Sequence, residues 1–538
     1  MRKPYGTLWL LVVLSAALLS LPWLVPHCGW AALIGLVPLL SAERVASQNG
    51  VRHFWIWHYS CFVLWNAATT FWVGEATVGG AVFAILANSL QMSLVFGLFR
   101  LSKKRFSGVL PYIFLATAWI AWERWYMVSA QISWPWLVLG NAFAKSIRSI
   151  QWYEYTGTLG GSLWVWAANL SLFGMLVNIL EGTYFRWKKF AKAVAVTATV
   201  LVFAFPYAAS AHIWHHFQEE SNGSADVLIA QPNFDPYEKF QSLSQKEQTG
   251  ILLGIIDSTL RGESRWEGLI VAPETFTGDI RLGDVSASPT WKSLQGYLQG
   301  HPGANILFGA STFELFLQRS APSVLARGED GRWTEHHNSA LVTDHTGRYD
   351  LFHKSKLVVG TEMTPYPKLF VPIDNRLGGL MGRCIGQPEV TTMNYVAADS
   401  SAVPFGCAIC YESVYPEYCT EYVRKGARFM TVITNDAWWG NTPGYRQHAS
   451  YSSLRAIELR RDIARCGNTG ISAFINQRGE FLSRTDWWQR QTLTGKVNFA
   501  DRRTFFVRHG DLAGRVSTFA FLLLLAWLLV SLVAGKRH

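Results

Sequence analysis

Seven apolar runs precede residue 212, at about 8–24, 29–42, 54–73, 78–99, 109–128, 159–180 and 191–210, and an eighth lies at 516–534. This series constrains the fold more than any other feature of the chain. Most of the runs approach the ~20 residues that span a ~30 Å hydrocarbon core. Within that core every backbone N–H and C=O needs a partner inside the protein, so helices are the expected form. The sequence therefore predicts a membrane domain of about seven transmembrane helices over 1–212 and one more helix in 516–538. The 29–42 run is the shortest and contains Pro38. Arg2, Lys3 and the first run have the form of a signal peptide, but the six apolar runs that follow favour an uncleaved first span.

The charge follows the same division. Residues 1–212 hold fifteen Lys and Arg, five Glu and no Asp, whereas the remainder holds 33 basic and 32 acidic side chains. The formal charge of +11 thus resides almost wholly in the apolar part, and 17 of the 25 Trp lie before residue 215. Arg2 and Lys3 open the chain, and alternate loops carry Arg44 and Arg52, then Arg100, Lys103, Lys104 and Arg105, then Arg186, Lys188, Lys189 and Lys192. Lys536 and Arg537 close it. The loops around 25–28 and 74–77 carry no Lys or Arg, and the long one at 129–158 only Lys145 and Arg148. Short cytoplasmic loops are enriched in Lys and Arg, so both termini are expected in the cytoplasm and 213–515 on the opposite side, in a bacterium the periplasm. The basic balance then records orientation and gives no support to nucleic-acid binding.

Residues 213–224 read as a linker. His212, His215 and His216 bring three imidazoles into five positions, but no Cys or carboxylate falls at ligand spacing, which favours an interfacial hinge over a metal site. Beyond it, β-type apolar runs at 225–231, 268–274, 304–310, 402–410 and 428–435 alternate with helical stretches ending near 262 and lying at 412–426 and 450–466. The segments 338–344 with 349–354, and the stretch 470–485, have the form of hairpins. This alternation implies an α/β layered domain over 225–515, whose sites form at the carboxyl ends of strands.

Three strand ends bear reactive groups: Glu274 closes VAPE, Lys354 closes DLFHK and Cys410 closes CAIC. A Cys at a strand-to-helix junction lies where backbone N–H groups and the helix dipole stabilise a thiolate and a neighbouring oxyanion. A carboxylate can take the thiol proton and an ammonium can hold the oxyanion, so the three together suit acyl transfer. Singly, each has a structural reading: Glu274 as a helix cap, Lys354 as a hairpin charge, Cys410 as a small buried hydrophobe. Spacing does not choose between Lys354 and Lys356, which share a strand face. Cys407 and Cys410 have the spacing of a redox pair, but three apart on a strand they point to opposite faces. Cys28, Cys61, Cys384, Cys419 and Cys466 show no metal-ligand spacing, and which of them could form a disulfide stays open. No metal site is expected, and no cofactor, since GTLGGS at 157–162 lacks a preceding strand and suits close helix packing.

In chain order, Glu in APET, Lys in HKSKL and Cys in AICYES resemble the nitrilase (carbon–nitrogen hydrolase) superfamily. The fused membrane part narrows the resemblance, over essentially the whole length, to the apolipoprotein N-acyltransferase family. The likeness includes Trp134-Pro135-Trp136-Leu137, Leu139-Gly140-Asn141, Gln151-Trp152-Tyr153-Glu154, Gln231-Pro232-Asn233 and Lys239-Phe240. It continues through Asn435-Asp436-Ala437-Trp438-Trp439-Gly440, Gln447-His448, Arg455-Ala456-Ile457-Glu458 and Asn468-Thr469-Gly470. It implies an α-β-β-α sandwich for the extracytoplasmic domain. The family's Lys-x-x-Leu pattern falls on Lys354 and Leu357 and leaves Lys356 peripheral. The resemblance also implies supporting roles for Glu362, Tyr411 and Glu412, and it offers Phe240, Trp438, Trp439, Trp136 and Glu154 as candidate substrate contacts; core packing is the alternative for Trp438 or Trp439, and a plain anchor with interfacial Trp is the alternative for the membrane part. Two departures stand out: Leu357-Val358-Val359-Gly360-Thr361-Glu362 lacks the family's Pro-Phe before the Glu, and Phe240 stands where Trp is common. Both fall where the lipid entrance is expected.

The activity so implied moves a fatty acyl chain from a membrane phospholipid, through a Cys410 thioester, to the α-amino group of S-diacylglyceryl-cysteine in an apolipoprotein. The implied partners are the phospholipid donor, the diacylglyceryl-modified acceptor and membrane lipid, in a bacterial inner membrane, with no nucleic acid. The alternative is a membrane-tethered amidase or nitrilase that passes its acyl group to water. A non-catalytic scaffold is disfavoured because all three reactive positions are filled.

Overall fold

The computed structural model describes residues 4–261 and 266–535, apart from the side chains of Phe240 and Gln241. Arg2, Lys3, Lys536, Arg537 and the side chain of Phe240, all invoked above, lie outside the described residues. The chain forms two compact units. One comprises Met1–Ala130, Trp134–Phe217 and His509–His538, and the other Gln131–Ser133 with Gln218–Arg508.

The first unit is helical, and each apolar run lies in a helical segment: Tyr5–Leu24, Gly29–Gln48, Trp55–Thr70, Val78–Ser102, Leu110–Val128, Tyr153–Leu180, Lys189–His216 and Leu512–Ala534. Six of these are long and apolar enough to cross a membrane; Trp55–Thr70 is shorter, and Leu110–Val128 carries Glu123 and Arg124. The Gly29–Gln48 segment is broken into Gly29–Ala31, Ala32–Gly35 and Val37–Gln48, with Pro38 in the first turn of the last piece, where its missing N–H costs nothing. The N–H groups at the break, of Leu36 and Val37, donate to the buried Asn169 Oδ1 at 2.7 and 3.1 Å. The glycines at 157–162 permit close approach, as expected: a Cβ on Gly161 would sit 1.8 Å from the Tyr153 hydroxyl. Helix Lys189–His216 runs past the apolar stretch, with His212 stacked on His216 one turn later at 4.3 Å.

The second unit is built on two sheets. The first contains β1 (Ser224–Gln231), β2 (Gly268–Val271), β3 (Thr277–Arg281), β4 (Ala304–Leu317), β5 (Arg327–Glu329), β6 (Arg332–Thr343) and β7 (Tyr349–His353). The second contains β8 (Met393–Val396), β9 (Ala402–Ile409), β10 (Met430–Thr434), β11 (Ile463–Gly467), β12 (Ala473–Ile475) and β13 (Phe481–Arg484). A last strand, β14 (Gln491–Asn498), returns to the first sheet, giving the orders β14-β1-β2-β4-β6-β5 and β13-β12-β11-β10-β9-β8. Strands β1, β2 and β4 are parallel, as are β9, β10 and β11, and antiparallel strands flank each set. Both expected hairpins form, as β6–β7 and β12–β13.

The layering follows from the two-residue period of a strand. Val227, Ile229, Leu269 and Val271 enter the core between the sheets with Phe405, Val432 and Ala464. Their neighbours Leu228, Ala230, Ile270 and Ala272 pack outward on Leu252 and Ile256 of helix Gln245–Thr259 and on Leu294 and Leu298 of helix Pro289–Gly300. Helices Pro416–Arg424 and Pro443–Leu459 cover the second sheet. The result is the α-β-β-α sandwich. Its inner strands are apolar on both faces, as parallel strands covered on both sides must be.

Candidate active site

The parallel strands deliver their carboxyl ends to one region. β2 leads through Ala272 and Pro273 to Glu274, β9 to Cys410, and β10 to Asn435 and Asp436, while Lys354 follows β7. Thr275 and Cys410 both hold positive φ, +48° and +53°. An L-residue keeps that conformation only where its surroundings impose it, at about 1–3 kcal/mol. Gly309 of β4 supplies one such surrounding, because a Cβ there would lie 2.5 Å from Glu274 Cα and 2.6 Å from Thr275 N. The Glu274 backbone therefore rests directly on that of β4.

Glu274, Lys354 and Glu362 form one buried hydrogen-bonded group. Lys354 Nζ donates to Glu274 Oε1 at 3.0 Å and to Glu362 Oε1 at 2.9 Å. Asn338 Nδ2 bridges the same two oxygens at 2.8 and 2.6 Å. Asn435 N–H donates to Glu274 Oε2 at 3.0 Å and Val358 N–H to Glu362 Oε2 at 2.7 Å. Burial alone would push Lys354 down, but Glu274 and Glu362 outweigh it and hold the ammonium well above its usual range. Lys356 is set apart, its Nζ lying over the rings of Tyr415 and Tyr418 at 5.2 and 5.8 Å.

Cys410 opens a 3-10 turn, Cys410–Val414, and burial with the nearby Glu274 charge pushes its thiol well above the usual cysteine range, Lys354 offsetting part of this. The resting group is therefore a thiol at neutral pH. Alkylation of Cys410 by iodoacetamide, followed by peptide mass spectrometry, is expected to be slower at pH 8 than for a free cysteine and still rising above pH 9. A plateau below pH 8.5 would contradict this ordering of charges. All seven cysteines are free thiols, and Cys407 packs in the core between the sheets.

Glu412, directly behind the thiol, is fully buried and accepts from Ser355 N–H at 2.7 Å, Lys356 N–H at 3.3 Å, Ile409 N–H at 2.8 Å and the Tyr418 hydroxyl at 2.6 Å. It thus ties the lysine loop to the strand that carries Cys410. Tyr411 donates its hydroxyl to Ser133 O at 2.9 Å, and Tyr415 to Ser133 Oγ at 3.0 Å. Trp438 and Trp439 are half-buried, the first edge-on to Tyr237 at 5.7 Å and the second edge-on to His448 at 5.4 Å. Trp136 and Glu154 belong to the other unit, where Trp136 stacks on Trp134 at 5.3 Å and Glu154 is buried.

Three features escape the sequence reading. Asn338 bridges both carboxylates from mid-β6. Lys239 is buried with its Nζ on Thr275 O, and burial lowers it to about 8 against the pull of Glu274. Asp436 and His448 gather with Cys410, their potential ligand atoms within 4.8 Å of one another. Both ring nitrogens of His448 are engaged by the protein, Nδ1 with Asp436 Oδ1 at 2.8 Å and Nε2 with Cys410 O at 3.1 Å. The donor set is thus committed to hydrogen bonds rather than presented to a metal. Beside the lysine loop, a cavity of about 780 Å³ is lined by Ser355, Lys356, Leu357, Met363, Cys384 and Tyr418 among others.

Residues 15–171 match the family described as apolipoprotein N-acyltransferase N-terminal domain, and residues 315–505, which include Lys354 and Cys410, match carbon-nitrogen hydrolase. The chain is 29% identical to the apolipoprotein N-acyltransferase of Chlorobaculum tepidum, over 96% of this chain and 95% of that one. It is 27% identical to that of Geobacter metallireducens, over 94% and 92% of the two chains. A solved Saccharomyces cerevisiae member of the nitrilase superfamily superposes with a TM-score of 0.37 at 13% identity, covering 55% of this chain and 98% of its own.

Proposed function

The chain belongs to the apolipoprotein N-acyltransferase family, and we propose that it carries an acyl chain from a membrane phospholipid, through a thioester on Cys410, to the α-amino group of a diacylglyceryl-cysteine at the N-terminus of an apolipoprotein. The observation that carries this reading is the buried Glu274–Lys354–Glu362 group beside a thiol on a strained turn. Glu274 takes the Cys410 proton as the sulfur adds to the ester carbonyl. Lys354 Nζ and the Tyr411 N–H hold the negative oxygen that results. The carbon–oxygen bond breaks, Glu274 returns the proton to the departing lysophospholipid, and the acyl group stays on sulfur. The acceptor amine then adds to the thioester; its proton passes through Glu274 to the leaving sulfur, and an amide and the free thiol result. A thioester is already activated toward amines, so the donor ester supplies the driving chemistry.

The proposal extends to placement: an inner membrane, the second unit in the periplasm and both ends of the chain in the cytoplasm, supported by the basic residues of alternate loops. The full-length protein, given phospholipid with a labelled acyl chain and a diacylglyceryl peptide, is expected to N-acylate the peptide through a labelled enzyme intermediate. Cys410→Ala is expected to lose both signals, by at least about 10⁴-fold. Labelled fatty acid released without peptide acylation would instead favour a hydrolase, and undiminished acylation by Cys410→Ala would sink the mechanism.

A further inference from the structure

The carbonyl of Cys410 is anchored by groups that the reaction above does not use. His448 Nε2 lies 3.1 Å from it and Ser413 Oγ donates to it at 2.7 Å. A carbonyl oxygen only accepts, so this contact is a hydrogen bond when Nε2 holds the ring proton; Ser413 Oγ, 3.1 Å from Nε2, has its own proton on the same carbonyl and can only accept there. The opposite edge of the ring is braced: Nδ1 faces Asp436 Oδ1 at 2.8 Å, and Asp436 accepts from Thr434 Oγ1 at 2.6 Å and from Arg465 Nη2 at 2.6 Å. Asp436 follows β10, Arg465 sits on the neighbouring β11, and His448 comes from helix Pro443–Leu459. His448, Asp436, Arg465, Thr434 and Ser413 are all fully buried.

In a trans peptide the C=O and the following N–H point in opposite directions. Anchoring the Cys410 carbonyl on the His448 side therefore sets the direction of the Tyr411 N–H on the other side of the same peptide. Two donors on the carbonyl also polarise the unit and strengthen its N–H as a donor. We propose that His448, braced by Asp436 and Arg465, is a positioning residue of acyl transfer: by holding the Cys410 carbonyl it aims the Tyr411 N–H at the oxyanion. This deepens the acyl-transfer reading and rests on it. His448 acts through the peptide, while Glu274 remains the base.

The test compares two reactions of one thiol in the full-length protein. Acylation from mixed micelles holding zwitterionic and anionic phospholipids, both with radiolabelled acyl chains, passes through an oxyanion; alkylation by iodoacetamide is a direct displacement and does not. His448→Leu removes the donor yet leaves Asp436 paired with Arg465 and Thr434, so no buried charge is stranded. It is expected to slow acylation by about 10- to 100-fold and to leave alkylation within roughly twofold. His448→Gln, whose amide can donate to the carbonyl, is expected to recover most of the rate, and Ser413→Ala to show a smaller loss of the same kind. Equal loss of acylation and alkylation would place His448 in thiol activation or in the fold and overturn the proposal. So would unchanged acylation in His448→Leu, or a Gln variant as slow as Leu. Wild-type protein that is alkylated but accepts no acyl group from either lipid would overturn the acyl-transfer reading itself, a result recognisable without any variant.

Discussion

Lys354→Met is expected to remove acyl-enzyme formation and to destabilise the catalytic unit at once. The ammonium is buried and contacts Glu274 Oε1 at 3.0 Å and Glu362 Oε1 at 2.9 Å. Without it, the two Oε1 atoms share one Asn338 amide, and each carboxylate keeps one backbone N–H on Oε2. Breaking a buried ion pair by removing one partner costs about 3–5 kcal/mol, because the remaining charge is uncompensated. The lost oxyanion contact adds on the order of 10²- to 10³-fold in rate. The two effects separate in two measurements: acyl-enzyme formation reads the oxyanion contact, and the thermal midpoint reads the stranded charges. Adding Glu362→Gln to Lys354→Met removes one of those charges and is expected to recover part of the midpoint without restoring acylation. A double variant no more stable than Lys354→Met alone would show that the Met side chain disturbs packing rather than charge. Lys354→Arg is no rescue, since a planar fork cannot place one point charge between two oxygens.

Glu412→Gln is the second large effect, and it arises at a residue assigned no chemistry. The carboxylate gathers N–H groups from Ser355, Lys356 and Ile409 and hydroxyls from Tyr418 and, at 3.4 Å, Tyr422. Burial pushes its carboxyl above the usual range, with the Tyr418 hydroxyl and the Ile409 and Ser355 N–H groups opposing. An amide at this position turns one acceptor into a donor that faces N–H groups. Each buried donor so stranded costs about 1–3 kcal/mol. The lysine loop then loses its tie to the strand end of Cys410. Acylation is expected to fall by about 10²-fold, and hydrogen exchange at Ser355 and Lys356 to rise, with the ionisation profile of the Cys410 thiol unchanged. Wild-type exchange at these two amides in the variant would argue against the tie.

The transmembrane helices and the three reactive strand ends are legible in the sequence because each has a one-dimensional signature. An apolar run of membrane length is rare in a chain that stays in water, and a reactive side chain closing a buried strand lies where such sheets form sites. The supporting parts lack such a signature. Asn338 lies within a strand and reads as a polar hairpin residue; its importance arises because β6 passes between the loops of Glu274 and Glu362. Asp436, His448 and Arg465 come from a turn, a helix and a strand, and their meeting depends on the parallel register of β10 and β11. Lys354 is distinguished from Lys356 by what each touches, two carboxylates against two phenol rings, a difference that spacing along a strand does not encode. The residues 213–224 read as a linker because apolarity fades there, yet the helix persists to His216.

The three residues Gln131–Ser133 group with the catalytic unit although the chain on either side of them belongs to the helical one. Ser133 receives the hydroxyls of Tyr411 and Tyr415, the first of which follows the proposed nucleophile Cys410, and Gln131 Oε1 receives the Tyr366 N–H at 2.7 Å. The enzyme is therefore not a soluble hydrolase appended to an anchor at a single joint. A gene fusion that exchanged everything after residue 217 between relatives would arrive without its own tripeptide and depend on the recipient's. Inheritance of the two units is coupled at that point, and a shortened protein beginning in the linker would lack a piece of its own catalytic unit.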